Sequence, residues 1–178
     1  TPAEMYRALG CSNRIYEFNR CLIRDEHPDV RITNRDMGRW EYEVLIETPV
    51  GNQQARYRRS PNNPWHEPLK WPIASPEEIR VAAWRERHAS WRWNEDRFAE
   101  LEAEWAGIGA PTIFLPRTTI QKLLIEQMGT EATIYALMDN AADCEAYFDA
   151  LDEAFEAMAA VVCDCPVEVI NFGDNLDA

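Results

Sequence analysis

The residues best placed to do chemistry follow an apolar run near the carboxyl end of the chain. Residues 167–172 read Val-Glu-Val-Ile-Asn-Phe, a pattern typical of a buried strand, and Asp174 and Asn175 follow after Gly173. A strand that delivers an acid and an amide into a loop is how an α/β enzyme presents a site. The structural alternative is a turn, because Asp and Asn side chains also stabilise turns locally.

The cysteines are the second candidate for chemistry. Five occur, at positions 11, 21, 144, 163 and 165. An odd number without a secretory signal predicts reduced thiols and a cytoplasmic location. Cys163 and Cys165 lack the two-residue spacer of zinc knuckles, and no histidine lies near them in sequence. We therefore interpret the thiols as buried core groups rather than as metal ligands.

Familiar nucleotide and hydrolase motifs are missing from the sequence. There is no Walker loop, GxSxG elbow or HExxH pair, and Gly107-Ile108-Gly109 lacks the third glycine of a dinucleotide-binding fingerprint. The three histidines are scattered along the chain. We interpret them as surface residues.

Composition narrows the class of protein. The chain has 178 residues, of which 46% are hydrophobic, so it holds enough apolar material for a sizeable core. Residues 1–93 carry 15 basic and 13 acidic side chains, whereas residues 94–178 carry 3 and 18. The strong negative charge of the second half repels phosphate backbones and anionic lipid. This predicts no nucleic-acid partner and no membrane partner. No apolar run is long enough to span a bilayer.

The first half predicts a helix, a hairpin and a loop. Residues 2–9 form a short helix stopped by Gly10. From residue 39 the apolar period is two, and the turn residues 48–51 predict a hairpin with 53–58 as the returning strand. Its glutamates and arginines are expected to pair across the ladder. The proline-rich segment 60–76 is interpreted as a surface connection.

The second half predicts alternating helices and strands. Helices are expected from Pro76 to about His88, from Asn94 to about Ala106, over 118–128, from Thr130 to about Asn140, and from Ala141 to about Asp164. Strands are expected over 112–115 and 167–172. The longest helix carries an apolar stripe, made of Cys144, Phe148, Leu151, Phe155, Met158 and Val162. A strand, helices and a further strand are typical of a βα repeat.

Several of these stretches resemble the uroporphyrinogen decarboxylase superfamily, which includes cobalamin-linked methyltransferases. The matching stretches, over roughly 130 residues, are ETPVG (47–51), SPEEIR (75–80), TIFLPRTTIQKLLIEQMG (112–129), ALMDNAADCEAYFDAL (136–151) and INFGDNLDA (170–178). The resemblance implies an α/β fold, a partial (β/α)8 TIM barrel preceded by a hairpin and helical segments. It makes 1–178 a single domain and the amino-terminal portion of such a barrel.

The resemblance also implies site residues at the strand ends. Asp174 is carried over as the catalytic residue, accepting hydrogen bonds from substrate N–H groups or transferring a proton. Arg117, Thr118 and Asn175 are carried over as substrate-binding residues, with Arg117 pairing a carboxylate or phosphate. A surface salt bridge is the structural alternative for Arg117.

The implied activity is methyl transfer from a corrinoid-bound or O-methyl donor to a thiol or similar acceptor. Tetrapyrrole decarboxylation is the second hypothesis, ranked below methyl transfer because the chain lacks the arginine-rich RQAGRY-type segment of true decarboxylases. A non-catalytic self-assembling module is the third hypothesis. The substrate is expected to be a small molecule or a corrinoid protein, and a homo-oligomer is possible. No cofactor is expected on this segment, while zinc and a corrinoid are possible for the intact protein.

Overall fold

A computed structural model describes residues 1–61 and 63–172 of the chain. The first half contains, in order, α1 (Pro2–Leu9), β1 (Asn13–Ile15), a 3-10 helix (Tyr16–Cys21), β2 (Leu22–Asp25), β3 (Arg31–Gly38), β4 (Glu41–Thr48), β5 (Gly51–Ser60) and β6 (Asn63–Lys70). The second half contains α2 (Pro76–His88), β7 (Ser90–Trp93), α3 (Glu95–Trp105), β8 (Gly109–Leu115), α4 (Thr119–Lys122), a π-helix (Leu123–Gln127), α5 (Thr130–Asp139), α6 (Ala141–Cys163) and β9 (Val169–Phe172).

These elements form two compact units. Unit 1 is built from Thr1–Asp25, Ser90–Arg117 and, among the described residues, 155–172. Unit 2 is built from Glu26–Ala89 and Thr118–Ala154. The first turns of α6 belong to unit 2 and its last turns belong to unit 1.

The expected partial (β/α)8 barrel is wrong for the described residues. They form three separate sheets, of which only the three-stranded sheet β1-β8-β9 is parallel. β2 and β7 form an antiparallel pair, and β3 to β6 form an antiparallel sheet in sequence order. The physical reason lies in residues 31–60, where two-residue turns join the strands. Such turns produce antiparallel neighbours, whereas parallel neighbours need a long crossover.

Unit 1 is held by a core between its helices and the parallel sheet. In α1 the Thr1 side chain accepts a hydrogen bond from Glu4 N, and Gly10 ends the helix in the left-handed conformation, which confirms the predicted first helix. The buried core residues come from every part of the unit: Ala3, Ile15, Phe18, Cys21, Phe98, Leu101, Trp105, Ile108, Ile113, Leu115, Met158 and Val162.

Unit 2 contains the predicted hairpin. β4 pairs with β5 in a register that sets Tyr42 opposite Tyr57 and Thr48 opposite Gly51, which confirms the turn at 49–50. The expected cross-strand ion pairs are also confirmed. Glu41 lies 2.5 Å from Nη2 of Arg56 and 3.0 Å from Nη2 of Arg58. Hydrogen bonds from these two arginines lower the pKa of Glu41.

The proline-rich segment is more ordered than expected. Residues 63–70 form β6, so its interpretation as a plain surface connection is wrong. β6 is the last strand of the sheet, and Pro68 lies opposite Tyr57. An edge strand tolerates proline because the backbone N–H and C=O groups on its outer side have no neighbouring strand with which to form hydrogen bonds. The pairing with β5 is also irregular at two points.

The helices of unit 2 pack around a second core. The Ser75 side chain accepts from Glu78 N and caps α2, whose bounds, Pro76–His88, confirm the predicted helix. The Glu78 carboxylate does not complete a capping box; it accepts from Ala74 N at 2.7 Å and pairs with Lys70. The buried residues of this core are Ile73, Ile79, Ala82, Ala83, Leu123, Met128, Ala136, Cys144, Tyr147, Ala150 and Leu151.

The single helix expected over 118–128 is divided. Four residues of α4 lead into the π-helix, where Met128 N donates to Leu123 O at 2.9 Å, a bond that spans five residues. Gly129, with φ 77° and ψ 165°, then turns the chain into α5. The π-helix is a local widening of the turn, and such segments often accompany functional sites.

The long helix α6 confirms its predicted bounds and core stripe. Cys144 and Leu151 are buried in the core of unit 2, and Met158 and Val162 in the core of unit 1. Phe148 and Phe155 are partly buried beside these cores. Among the helices of the described residues, none combines the length and the apolar content that a bilayer crossing requires.

Candidate active site at the carboxyl edge of the parallel sheet

Three parallel strands run towards one edge of the sheet in unit 1, and two of them, β8 and β9, reach it. β8 is the middle strand, with Ile15 of β1 opposite Pro111 and Phe172 of β9 opposite Leu115. β1 therefore stops near the start of β8, whereas β9 accompanies β8 to its end. In parallel sheets, residues that follow the carboxyl ends of the strands line the ligand site.

The Asn19 side chain continues the pairing that β1 leaves unfinished. Its Nδ2 donates to Phe114 O at 2.7 Å, and its Oδ1 accepts from Phe114 N at 2.8 Å. A side-chain amide offers the same donor and acceptor as a peptide group, so it satisfies both backbone groups of the strand. These two bonds fix the 3-10 helix beside the last residues of β8.

The 3-10 helix and the residues next to it separate side chains by a period of three. Ile15, Phe18 and Cys21 are at most 1% exposed and belong to the core of unit 1. Arg14, Glu17 and Arg20 have the same spacing, displaced by one residue, and line a cleft at the surface. A 3-10 helix has about three residues per turn, so side chains three apart lie above one another.

We call this surface the arginine cleft; it is lined by Arg14, Tyr16, Glu17 and Arg20 and encloses about 370 Å³. Neither Arg14 nor Arg20 has an ion-pair partner in residues 1–61 and 63–172. A guanidinium group binds a carboxylate or phosphate through two parallel hydrogen bonds. The carboxylate of Glu17 lowers the net positive charge and offers an acceptor for a proton.

Tyr16 connects the arginine cleft to β9. Its hydroxyl oxygen accepts a hydrogen bond from Nδ2 of Asn171 at 2.9 Å. Its ring meets the ring of Phe114 edge-on, with centroids 6.1 Å apart. Because the oxygen acts as the acceptor, the phenolic O–H can still donate to a bound anion.

The predicted site residues are divided by the structure. Arg117 lies two residues after β8 in unit 1, half-buried at the carboxyl edge, as the resemblance implies. Thr118 belongs to unit 2, where it is exposed and its carbonyl accepts from Lys122 N at 2.9 Å. Asp174 and Asn175 lie outside the described residues.

The residues of the arginine cleft were missed in the sequence. No element was expected over residues 11–38, because neither a period of two nor a period of 3.6 runs through this segment. The usable signal was a period of three. Apolar residues recur at 15, 18 and 21, and charged residues at 14, 17 and 20.

Zinc, which the resemblance allows for the intact protein, does not fit the described residues. Within 1–61 and 63–172, no group of three His, Cys, Asp or Glu side chains is arranged to hold a metal ion. We therefore give the residues of the arginine cleft roles in binding and proton exchange only.

The five cysteines are free thiols, and they differ in reactivity. Burial raises the pKa of the Cys165 thiol to about 11, and its Sγ lies 2.9 Å from Val161 O. Burial also raises the pKa of Cys21 and Cys144. Cys163 is exposed.

We expect iodoacetamide to modify Cys163 at pH 8 and to leave Cys165 almost unmodified. Raising a thiol pKa by two units lowers the thiolate fraction about 100-fold, and the thiolate is the species that reacts. The difference in labelling rate between Cys163 and Cys165 should become smaller as the pH rises towards the pKa of Cys165. Tandem mass spectrometry resolves the two positions. Equal labelling of both cysteines in folded protein at pH 8 would contradict the burial of Cys165.

Comparisons of the chain with models of known families, with curated proteins and with solved structures gave no match.

Proposed function

We propose that this chain binds an acidic small molecule in the arginine cleft and takes part in methyl transfer, the activity implied by its resemblance to the uroporphyrinogen decarboxylase superfamily. One observation supports this best. Within residues 1–61 and 63–172, two guanidinium groups without a carboxylate partner line a cleft beside the carboxyl end of β1. The proposal rests on that cleft and on the matching sequence stretches, and it requires no barrel.

Each side chain of the cleft has a distinct part in the proposal. Arg14 and Arg20 orient the carboxylate or phosphate of the substrate. Tyr16, held by Asn171, donates a hydrogen bond to the same group. Glu17 accepts a proton from the acceptor group as it becomes nucleophilic. Arg117 follows β8 and does not line the arginine cleft, so its role in substrate binding stays a prediction of the resemblance.

The reaction class has a simple balance of atoms and electrons. The acceptor thiol loses its proton, and its sulfur then forms a bond to the methyl carbon. The donor leaves with the electron pair of the bond that breaks, and no net oxidation occurs. The donor is an O-methyl compound or a methylated corrinoid protein, which would be the partner of this chain.

Decarboxylation of a tetrapyrrole acetate is the second candidate, since that reaction needs a positively lined pocket for carboxylates. The arginine cleft offers such a lining, although the acidic second half of the chain does not. We place either activity in the cytoplasm, because the five thiols are all free.

Succinate binding tests the proposed site. We expect succinate to shift the side-chain amide resonance of Asn171, which donates to Tyr16 beside the cleft. Arg14→Gln and Arg20→Gln should each weaken succinate binding about tenfold, since each removes one charge-assisted pair of hydrogen bonds. Arg31→Gln is the matched control, because Arg31 is an exposed arginine on β3, in unit 2.

Two outcomes would overturn the site: no shift of Asn171 with succinate, or equal loss of binding in the Arg31 variant. The reaction is tested with methylcob(III)alamin and 2-mercaptoethanol, followed by mass spectrometry of the thioether. Thioether formation supports methyl transfer. Release of CO2 from uroporphyrinogen would instead support decarboxylation. If neither the thioether nor CO2 forms, the catalytic assignment is overturned.

A further inference from the structure

A second group of polar side chains lies on the antiparallel sheet of unit 2. One face of this sheet carries Ile46, Gln53 and Ala55, which are at most 9% exposed. Further along the same face the strands carry Tyr42 and Tyr57, which are only half-buried. This end of the face is open to solvent, and its side chains are polar or aromatic.

Tyr42 is the centre of this second group. Its ring stacks on Tyr57, with centroids 5.3 Å apart and an angle of 24° between the planes. Its hydroxyl is hydrogen-bonded to Nδ1 of His66. The guanidinium carbon of Arg59 lies 4.6 Å from the centre of the Tyr42 ring. Four side chains from three strands, β4, β5 and β6, are thus held together.

The hydroxyl of Tyr42 and Nδ1 of His66 share one hydrogen bond. Burial raises the pKa of Tyr42, an effect that Arg59 only partly opposes, so the hydroxyl keeps its proton near neutral pH. In the tautomer in which Nδ1 accepts from the Tyr42 hydroxyl, His66 carries its hydrogen on Nε2. Nε2–H has no partner among the described residues and can donate to a ligand.

Arg59 differs from Arg56 and Arg58 on the same strand and from Arg35 on β3. Arg56 and Arg58 both pair with Glu41, and Arg35 lies 3.6 Å from Glu43. Arg59 has no carboxylate partner in residues 1–61 and 63–172, and its charge is met only by the face of Tyr42. An arginine stacked on an aromatic ring keeps its N–H groups free for an anion.

The turn next to Arg59 is strained. Arg39 and Trp40 join β3 to β4 with φ of 51° and 69°, a conformation that β-hairpin turns usually give to glycine or asparagine. Arg59 N donates to Trp40 O at 2.7 Å, so the strained turn fixes the backbone of Arg59. Strain of this kind concentrates at ligand sites.

These side chains line an open cleft of about 390 Å³, which we call the hairpin cleft; its lining is Asn34, Arg35, Asp36, Tyr42, Arg59 and His66. This volume suits a small metabolite. Asp36 Oδ1 accepts from Gly38 N at 2.8 Å, so the carboxylate is fixed within the lining. A fixed carboxylate disfavours a dianion and favours a ligand that carries a donor beside its anionic group.

We propose that the hairpin cleft binds a small hydroxy- or amino-carboxylate. The carboxylate pairs with Arg59 and with Nε2–H of His66. The hydroxyl or ammonium group of the ligand donates to Asp36 and Asn34. The arginine cleft contributes none of these residues, so this site is independent of the proposed function.

Glycolate, acetate and inorganic phosphate distinguish the possible ligands. The ring resonances of His66, assigned from His66→Asn, report binding at the cleft itself. We expect the dissociation constant of glycolate, measured from these shifts, to be at least about tenfold lower than those of acetate and phosphate. Only glycolate supplies one negative charge and a neighbouring hydrogen-bond donor. Tighter binding of phosphate would overturn the carboxylate assignment, and no shift with glycolate would overturn the site.

Variants of Arg59 test the contact directly. Arg59→Gln should weaken glycolate binding about tenfold or more, and Arg59→Lys should restore part of it by restoring the charge. Arg31→Gln removes an exposed arginine from the same sheet and should leave glycolate binding unchanged. Wild-type affinity in both Arg59 variants would overturn the proposal. The Arg59→Lys variant keeps the test valid if Arg59→Gln misfolds.

Discussion

Replacing Gly129 by alanine should lower the unfolding free energy of unit 2 by about 2–5 kcal/mol. With φ 77° and ψ 165°, Gly129 adopts a backbone conformation that almost only glycine populates. An added Cβ would lie 2.9 Å from both Cε2 and Nε1 of Trp71, closer than carbon atoms approach one another in proteins. Strain and steric overlap therefore act together. Urea denaturation followed by circular dichroism measures the loss.

Gly38→Ala separates these two causes. Gly38 also lies in unit 2 and has φ 76°, but nothing lies within 4 Å of the position that its Cβ would take. We expect a loss of only about 1 kcal/mol, from backbone strain alone. Equal losses at the two glycines would show that the contact with Trp71 has no energetic weight.

Phe18→Ala should lower the unfolding free energy of unit 1 by about 3–5 kcal/mol. Phe18 is 1% exposed, and its ring centroid lies 5.3 Å from that of Phe98 in α3. The substitution removes this contact and leaves a cavity beneath the 3-10 helix. Because the same short helix carries Tyr16, Glu17 and Arg20, succinate binding in the arginine cleft should weaken too.

Phe172→Ala is the matched control for the core substitution. Phe172 belongs to the same unit, on β9, but it is 62% exposed. We expect a change below about 1 kcal/mol, as for most exposed substitutions. A large loss at Phe172 combined with a small loss at Phe18 would contradict the assignment of the core.

Local patterns predicted the helices and the hairpin of this chain well. Ser75, Asn94 and Gly10 mark helix ends through hydrogen bonds or backbone angles that involve only a few neighbouring residues. The alternation over β4 likewise needs no distant partner. Such signals are visible in one sequence because their physical cause lies within a few residues.

Features that depend on distant residues were predicted poorly. β2 pairs with β7 although residues 26–89 separate the two strands in sequence, and neither strand was expected. β6 was missed because Pro64 and Pro68 usually exclude a strand, an exclusion that edge position removes. The barrel was an inference from family resemblance, and pairing in the antiparallel sheets cannot be read from matched motifs.

For the candidate site, the sequence located a neighbouring strand but none of the residues that line the arginine cleft. The strand end before Arg117 was placed correctly, since Pro111 and Pro116 bracket a recognisable apolar run. Arg14 and Arg20 were not found, because the ion-pair partners of an arginine depend on its three-dimensional surroundings and not on its neighbours in sequence. The same limit applied to Arg59, whose neighbour His66 comes from another strand.

The three-residue period of segment 14–21 restricts how the length of this segment can change. Inserting one residue before Arg20 would place its guanidinium group at the buried position of Cys21, and deleting one residue before Phe18 would place its ring at the position of Glu17 in the arginine cleft. The interruption would also move Asn19 away from the backbone of Phe114. Related chains that keep this architecture should therefore differ in length here by whole turns, in steps of three residues.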